Sequence, residues 1–471
     1  MNKDSPKSSN IVLKSGFWYT ISNFFMKGIA FITIPIFSRM LTKTEFGYYN
    51  NFTAWLAVLT IIGTLSLSTS LIRGRFDYKD DLDSFISSNL VLGSICTIVL
   101  YFIVFLNREL IESLLSLKFS YITIMFLSIL FLPAYNMFQQ LQRYQYKYKT
   151  LVAITISVSI GSVLFSLVLM EKMENTLSAR IIGAQLPSFI ASFILYFFFL
   201  KRKRTIKLQY WKYSLLFALP YIVHLLSNTV LHSVDRVMIT KICGPRETAL
   251  YSMAYNIALI VNVLWDSMNS AYSPWLGEKL YQKDYNSIKK YSYNYILFFA
   301  FILLGVMLLS PEALYILGGK RYIEAKYVIP PTMLGMFFVF LYSLYVNIEQ
   351  YEKKNGGMAM ATCAAAILDF VLNLFFIKEF GYIAAAYTTL AGYIFLFLIH
   401  YILVRKIGFT KVYNTKFILI VIILEIILTV IINLSYQNNV IRYCLIIIYG
   451  ICFLIVGYKY KNLVLNMFRK G

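Results

Sequence analysis

The sequence predicts an all-α polytopic membrane protein of about fourteen transmembrane helices. Three observations carry this. Of 471 residues, 59% are hydrophobic and only 14% are charged, with a mean hydropathy of +0.66, which would expose far too much apolar surface to water. The apolar residues fall in runs of roughly 20, the length that crosses a ~30 Å hydrocarbon core as a helix. Runs such as FILIVIILEIILTVIINL, 417–434, do not alternate polar with apolar, as the ~10-residue strands of a membrane barrel must.

Taken in order, span one (17–37) follows the polar MNKDSPKSSN, which does not read as a cleavable signal because the apolar run behind it is too long. Spans two to six occupy 50–72, 85–106, 119–138, 151–170 and 181–200, and the basic run KRKRTIKLQYWK, 201–212, stops the sixth. Spans seven to twelve occupy 214–234, 250–273, 293–310, 327–348, 358–377 and 382–404. Two further runs follow at 417–434 and 441–457. Every connecting loop is short, so function must reside among the helices or at their ends.

Orientation follows from the loops, because positive loops are retained in the cytoplasm. With the N-terminus inside, about two thirds of the 44 Lys and Arg fall on the cytoplasmic side, and both termini are expected there. The positive-inside bias and anionic headgroups account for the net charge of +22, so a nucleic-acid partner is not implied. The five cysteines, Cys96, Cys243, Cys363, Cys444 and Cys452, form no CxxC and read as buried thiols, without disulfide or metal framework and without a cofactor.

The chain repeats weakly. SRMLTKTEFGYYNNF after span one resembles TKICGPRETALYSMAY after span seven, aligning Arg39 with Lys241, Glu45 with Glu247 and Tyr49 with Tyr251. The segments from Gln142 and Gln350, after spans four and ten, correspond in the same way. The simplest account is a lobe of six helices (1–205), a second of six (206–404) and two added helices (405–471). Six is even, so the lobes enter with the same orientation, as parallel repeats flanking a midplane cavity.

Polar stripes interrupt the spans. In span seven His224, Asn228, His232 and Asp235 are spaced four, four and three apart and share one helical face, with Pro220 a turn earlier marking a bend and Arg236 adjacent to Asp235. Charges at the bilayer centre cost ~2.5–3.5 kcal/mol, so this face should turn to a partner helix or to water. An interhelical hydrogen-bond ladder and a lined polar path both satisfy that demand. Thr20, Asn23 and Lys27 share a face of span one, with Lys27 ~18 Å from either end, too deep to snorkel comfortably. Asn262, Asp266, Asn269 and Ser273 form a stripe in span eight, and Asp369 with Asn373 stand at i, i+4 in span eleven. Glu425 and His400 read as structural or interface residues. Catalysis fares poorly: the DLD of Asp81 to Asp83 opens span three, where acids cap a helix, and no GxSxG, HExxH or Walker A motif occurs.

These residues carry a resemblance. LPYIVHLLSNTVLHSVDRVMITKICGPRETALYSMAYNI, with Pro220, His224, Asp235, Arg236, Gly244, Tyr251 and Ala254, is similar to the seventh-helix signature of bacterial polysaccharide flippases of the multidrug/oligosaccharidyl-lipid/polysaccharide exporter superfamily. SGFWYTISNFFMKGIAFITIPIFSRMLTKTEFGYYN resembles the family's first helix and loop, and SLIRGRFDY, with Arg73 and Arg75, its second-helix exit. The resemblance implies alternating-access export of an undecaprenyl-pyrophosphate-linked repeat unit across the bacterial cytoplasmic membrane, for O-antigen or capsule. It implies no enzyme activity of its own, and as partners membrane lipids, the polysaccharide polymerase and a chain-length regulator. Pyrophosphate is a polyanion, for which Lys27, Arg73 and Arg75 supply cations. Asn23, His224, Asn228, Asp235 and Arg236 complete the expected substrate-binding set, and Asp266 and Asp369 are candidates for ion coupling. The alternative is a cation-coupled small-molecule exporter of the same fold, although such a carrier would want a carboxylate where span one has Lys27.

Overall fold

The computed structural model describes residues 18, 25, 26, 28, 29, 31–410 and 412–470. Among the described residues there is helix and no strand. The helices are α1 (Phe31–Met40), α2 (Lys43–Gly63), α3 (Leu71–Asp77), α4 (Leu82–Leu106), α5 (Arg108–Leu115), α6 (Phe119–Tyr144), α7 (Tyr148–Lys172), α8 (Thr176–Arg202) and α9 (Leu208–Ile242). After them come α10 (Pro245–Tyr281), α11 (Tyr285–Leu308), α12 (Ser310–Gly318), α13 (Ile329–Tyr351), α14 (Asn355–Phe380), α15 (Tyr382–Lys406), α16 (Thr415–Ser435) and α17 (Asn439–Lys470). Among the described residues eleven helices are long and apolar enough to cross a membrane, twelve if the bent pair α2 and α3 is one span. Two shorter apolar helices, Phe31–Met40 and Asn439–Ile455, stand where spans one and fourteen are expected.

Span two differs from a straight helix. It bends by 54° between α2 and the segment Leu67–Asp77, because Leu65 and Ser66 take left-handed conformations at φ 47° and 45°. The broken ladder is patched locally: the Ser66 amide donates to Thr64 Oγ1 at 3.2 Å, and the Thr64 hydroxyl donates to the Thr60 carbonyl at 2.7 Å. At its other end α2 opens with a capping box, in which the Glu45 amide donates to Thr42 Oγ1 at 3.2 Å and the Thr42 amide to Glu45 Oε2 at 2.8 Å.

The helices gather into two compact units, Met1–Ser252 with Thr362–Ala385, and Met253–Ala361 with Ala386–Gly471. In the first, α2, α4, α6, α8 and α9 pack on one another. Phe85, Leu90, Met137 and Phe199 form one apolar cluster, and Phe52, Ile122, Met125 and Ile181 a second. Gly183 lets α8 touch α7, since a Cβ there would lie 2.4 Å from Ser166 Cα. In the second unit α13 is the axis, buried along nearly its whole length with α11 and α16 against it. The outward faces stay apolar, as Ile420, Ile423 and Ile427 of α16 do, and suit acyl chains.

The order long helix, short helix, long helix occurs twice, as α4–α5–α6 and α11–α12–α13. The loops from Gln142 and Gln350 each hold one non-glycine residue at positive φ, Tyr146 and Lys353.

Candidate functional site

The polar face of span seven lies on α9, whose helix runs on through Pro220. Asp235 is only 2% exposed. Tyr251 Oη donates to its Oδ2, and Asn373 Nδ2 donates to its Oδ1 at 2.8 Å. Tyr251 reaches it because α9 turns sharply into α10 at Gly244, whose φ of +112° favours glycine. The hydroxyls of Thr240 and Thr248 brace that turn at 2.7 Å. Asn373 comes from α14, and Asp369, on the same face one turn earlier, is fully buried. The stripes of spans seven and eleven thus meet, within one unit.

His224 is half-buried with its ring 6.0 Å from that of Tyr221, and Asn228 is exposed. The stripe from His224 to Asp235 covers ~16 Å of helix. His232 and Arg236 are half-buried, and Arg236, next to Asp235, points elsewhere on the helix.

Arg73 and Arg75 lie on α3. Arg73 is exposed and pairs with Asp77 at 3.3 Å. The half-buried Arg75 stacks its guanidinium on the Tyr144 ring at 3.5 Å and on Phe76 at 4.3 Å. No carboxylate lies within ion-pair distance of Arg75 among the described residues. Asn23 and Lys27 lie outside the described residues.

The acids opening span three do not cap it. Asp81 occupies the N-cap position of α4, yet its carboxylate makes no cap bond. It accepts Lys203 Nζ and Lys207 Nζ at 2.7 Å each and Tyr210 Oη at 2.6 Å, while Asp83 pairs with Arg202 at 3.5 Å. Trp211 Nε1 donates to the Ser88 carbonyl at 2.8 Å. The segment 202–211 is thereby fastened to the start of α4.

In the second unit Asp266 is exposed, whereas Asn269 of the same stripe accepts Asn347 Nδ2 at 2.8 Å and joins α10 to α13. Arg180, half-buried, and Glu349, the partner of the His400 read above as structural, escaped the sequence reading. Arg180 donates to Ser166 Oγ at 2.6 Å and stacks on Phe37 at 3.6 Å and Tyr49 at 4.5 Å. Glu349 meets His400 Nδ1 at 2.8 Å, both side chains 2% exposed. Each stands one residue outside an expected span, Arg180 before 181–200 and Glu349 after 327–348, where it passes for a loop charge. The helices in fact run further. Among the described residues no cluster of three or more His, Cys, Asp or Glu is arranged to hold a metal ion.

A family model described as polysaccharide biosynthesis protein matches residues 12–280, and the MatE model matches 220–375. The chain is 23% identical over 371 residues to a protein of the Lsg locus of Haemophilus influenzae, covering 76% of this chain and 89% of that one. It is 22% identical over 448 residues to an uncharacterized membrane protein of Methanocaldococcus jannaschii, covering 86% of each. Among solved structures, the lipid II flippase MurJ in an inward closed conformation overlays it with a TM-score of 0.68 at 16% identity, covering 95% of this chain and 100% of that one. An outward-facing multidrug resistance MATE family transporter overlays it with a TM-score of 0.55 at 14% identity, covering 86% and 96%. At these identities the overlays show a shared fold.

Proposed function

The chain belongs to the polysaccharide biosynthesis protein family, within the multidrug/oligosaccharidyl-lipid/polysaccharide exporter superfamily, and from that membership we propose that it carries undecaprenyl-pyrophosphate-linked oligosaccharide repeat units from the inner to the outer leaflet of the bacterial cytoplasmic membrane. The units feed O-antigen or capsule synthesis, with the polymerase and chain-length regulator acting on what is delivered. Transport is by alternating access between lobes 1–205 and 206–404, with both termini cytoplasmic and 405–471 adding two helices.

The observation that carries this reading beyond the family is Arg75, a half-buried guanidinium on an aromatic platform with no carboxylate within ion-pair distance among the described residues. Such a cation is expensive beside lipid and is relieved by a phosphate, which a guanidinium grips with two parallel hydrogen bonds. Arg73, exposed and only loosely paired with Asp77 at 3.3 Å, is available to a phosphate that displaces that carboxylate, and Lys27, with Asn23, adds a further cation along the path. His224, Asn228 and Arg236 offer hydrogen-bonding groups to the sugars, and Asp235, buried and bonded by Tyr251 and Asn373, positions that stretch of α9. Asp369, one turn from the Asn373 that holds Asp235, is the stronger of the two coupling candidates because it is buried, whereas Asp266 is exposed.

The test is deletion in the native host. Loss of long-chain surface polysaccharide with accumulation of single lipid-linked repeats on the cytoplasmic leaflet is the expected result. Intact polysaccharide with raised sensitivity to cationic drugs would instead establish the exporter reading, which the MatE match over 220–375 favours.

A further inference from the structure

A cleft of about 610 Å³ opens in the first unit where the ends of α2, α5, α6 and α8 converge. Its size falls within the ~300–1,000 Å³ of small-molecule sites. It lies apart from Asp235 and Arg75, since none of its lining residues belongs to either group. Two carboxylates, Glu45 and Glu112, and a single ammonium, Lys118, make it net negative in a chain of net charge +22. That balance rejects phosphate.

The remaining lining is of another kind. Tyr48 and Tyr121 supply rings, and Thr44, Ser116 and Asn175 supply hydroxyls and an amide. Part of this polar set is already engaged: Glu45 accepts Thr42 and Thr176, the Phe119 amide donates to Glu112 Oε1, and Asn175 Oδ1 caps α8 by accepting the Ser178 amide at 2.8 Å. These contacts hold the carboxylates and the amide in place. The Thr44 and Ser116 hydroxyls, the Tyr48 phenol, the Lys118 ammonium and Glu112 Oε2 make no hydrogen bond to any described residue. Ser116, at the end of α5, is held at φ +53°, a conformation serine rarely adopts. Convergent neutral donors and acceptors beside the half-buried Tyr48 ring, with Tyr121 packed into the apolar cluster behind it and with carboxylates but no excess positive charge, match the alternating hydroxyls and C–H faces of a sugar.

We propose that this cleft binds an uncharged sugar residue of the transported glycan on the exit side of the membrane. The inference rests on the flippase function and on the orientation proposed above, under which the loops after spans one, three and five are external. The cleft would hold the glycan end of the substrate while the pyrophosphate leaves the cationic path, so head and tail of one molecule are recognised by surfaces of opposite charge.

The experiment uses the full chain in nanodiscs and saturation-transfer NMR, with oligosaccharide released by mild acid from the host's own surface polysaccharide as probe. Thr44→Trp, at an exposed position, fills the cleft. Asn175→Asp keeps the cap acceptor and deletes the amide donor. Wild type should bind, both variants should bind about tenfold more weakly, the loss expected for one or two good hydrogen bonds, and inorganic pyrophosphate should not compete. No binding by wild type, undiminished binding by both variants, or displacement by pyrophosphate would each overturn the proposal. If deletion abolishes polysaccharide export while Thr44→Trp binds and exports normally, the cleft is wrong and the flippase stands. If deletion leaves export intact, the flippase reading fails and takes the cleft with it.

Discussion

Asp235 is a carboxylate buried where lipid or protein surrounds it, and its hydrogen bonds from Tyr251 and Asn373 show how it is tolerated there. Donors from α10 and α14 spread part of the charge over neutral groups. Removing one donor should therefore cost about 1.5–3 kcal/mol, the worth of a hydrogen bond to a charged group. Tyr251→Phe and Asn373→Ala should each lower the unfolding temperature of detergent-solubilised protein, and the double variant should lose less than the sum because both act on one carboxylate. Equal stability of all three with wild type would show that the carboxylate is held by something else. Arg75 makes a different demand. Arg75→Lys keeps the charge but loses the planar stack on Tyr144 and the fork for phosphate. Export should fall about tenfold, with protein abundance unchanged, and Arg75→Ala should fall further. Normal export by Arg75→Ala would end the substrate role assigned to it.

Among the elements, the segment from Arg202 to Trp211 is held by ion pairs to Asp81 and Asp83 that are partly open to solvent. Each is worth no more than ~1 kcal/mol and is screened by salt. Asp81→Asn should release Lys203 and Lys207 together and raise the rate of tryptic cleavage within 201–207 several-fold. High salt should do the same to wild type, as mass spectrometry of the fragments would reveal. At the other end of the chain α17 is bolted to α12 by Arg442, whose two terminal nitrogens each lie 2.6 Å from a Glu312 oxygen. Burial, the largest single influence, pushes the Glu312 carboxyl upward, but Arg442, the backbone amide of Glu312 and the Tyr443 hydroxyl together outweigh it and hold the group below its ordinary value. A carboxyl lowered by folding contributes stability above its unfolded value of ~4.3, and that contribution is lost as pH falls through the folded value. The protection of α17 amides near Arg442 against hydrogen exchange, taken relative to the intrinsic rate at each pH, should therefore fall below about pH 4. Glu312→Gln should lower it at neutral pH and remove that pH dependence. The cost should be about 2 kcal/mol, less than for a fully buried pair because Glu312 is 38% exposed.

For the whole molecule, the energetic question is what resets the carrier. Moving an anionic headgroup outward from a negative interior is downhill by ~2.3 kcal/mol per charge per 100 mV, and an empty path carrying net positive charge is drawn back by the same field. Transport in vesicles should therefore respond to membrane potential at fixed ΔpH and fixed sodium. Transport indifferent to the potential but stopped by removing the sodium or proton gradient would transfer the role to Asp369 or Asp266.

What the sequence determined by itself was the solvent, the helical class and the polar face of α9, because each is written in composition or in spacings of three and four along one helix. Spans two to thirteen coincide with the long apolar helices among the described residues, while spans one and fourteen meet only shorter apolar helices; the bounds differ at a break such as Leu65–Ser66 or an overrun such as that at Arg180. Partnership was decided only in the tertiary structure. Asn373 bonds to Asp235 across 138 residues and Lys207 to Asp81 across 126, yet nothing in either local stretch distinguishes a residue facing a helix from one facing a cavity. A helix's periodicity states which face must leave lipid. Which polar group meets which is set by how the helices pack, the sum of many small contacts such as that of Gly183 with Ser166, and no single segment contains that sum.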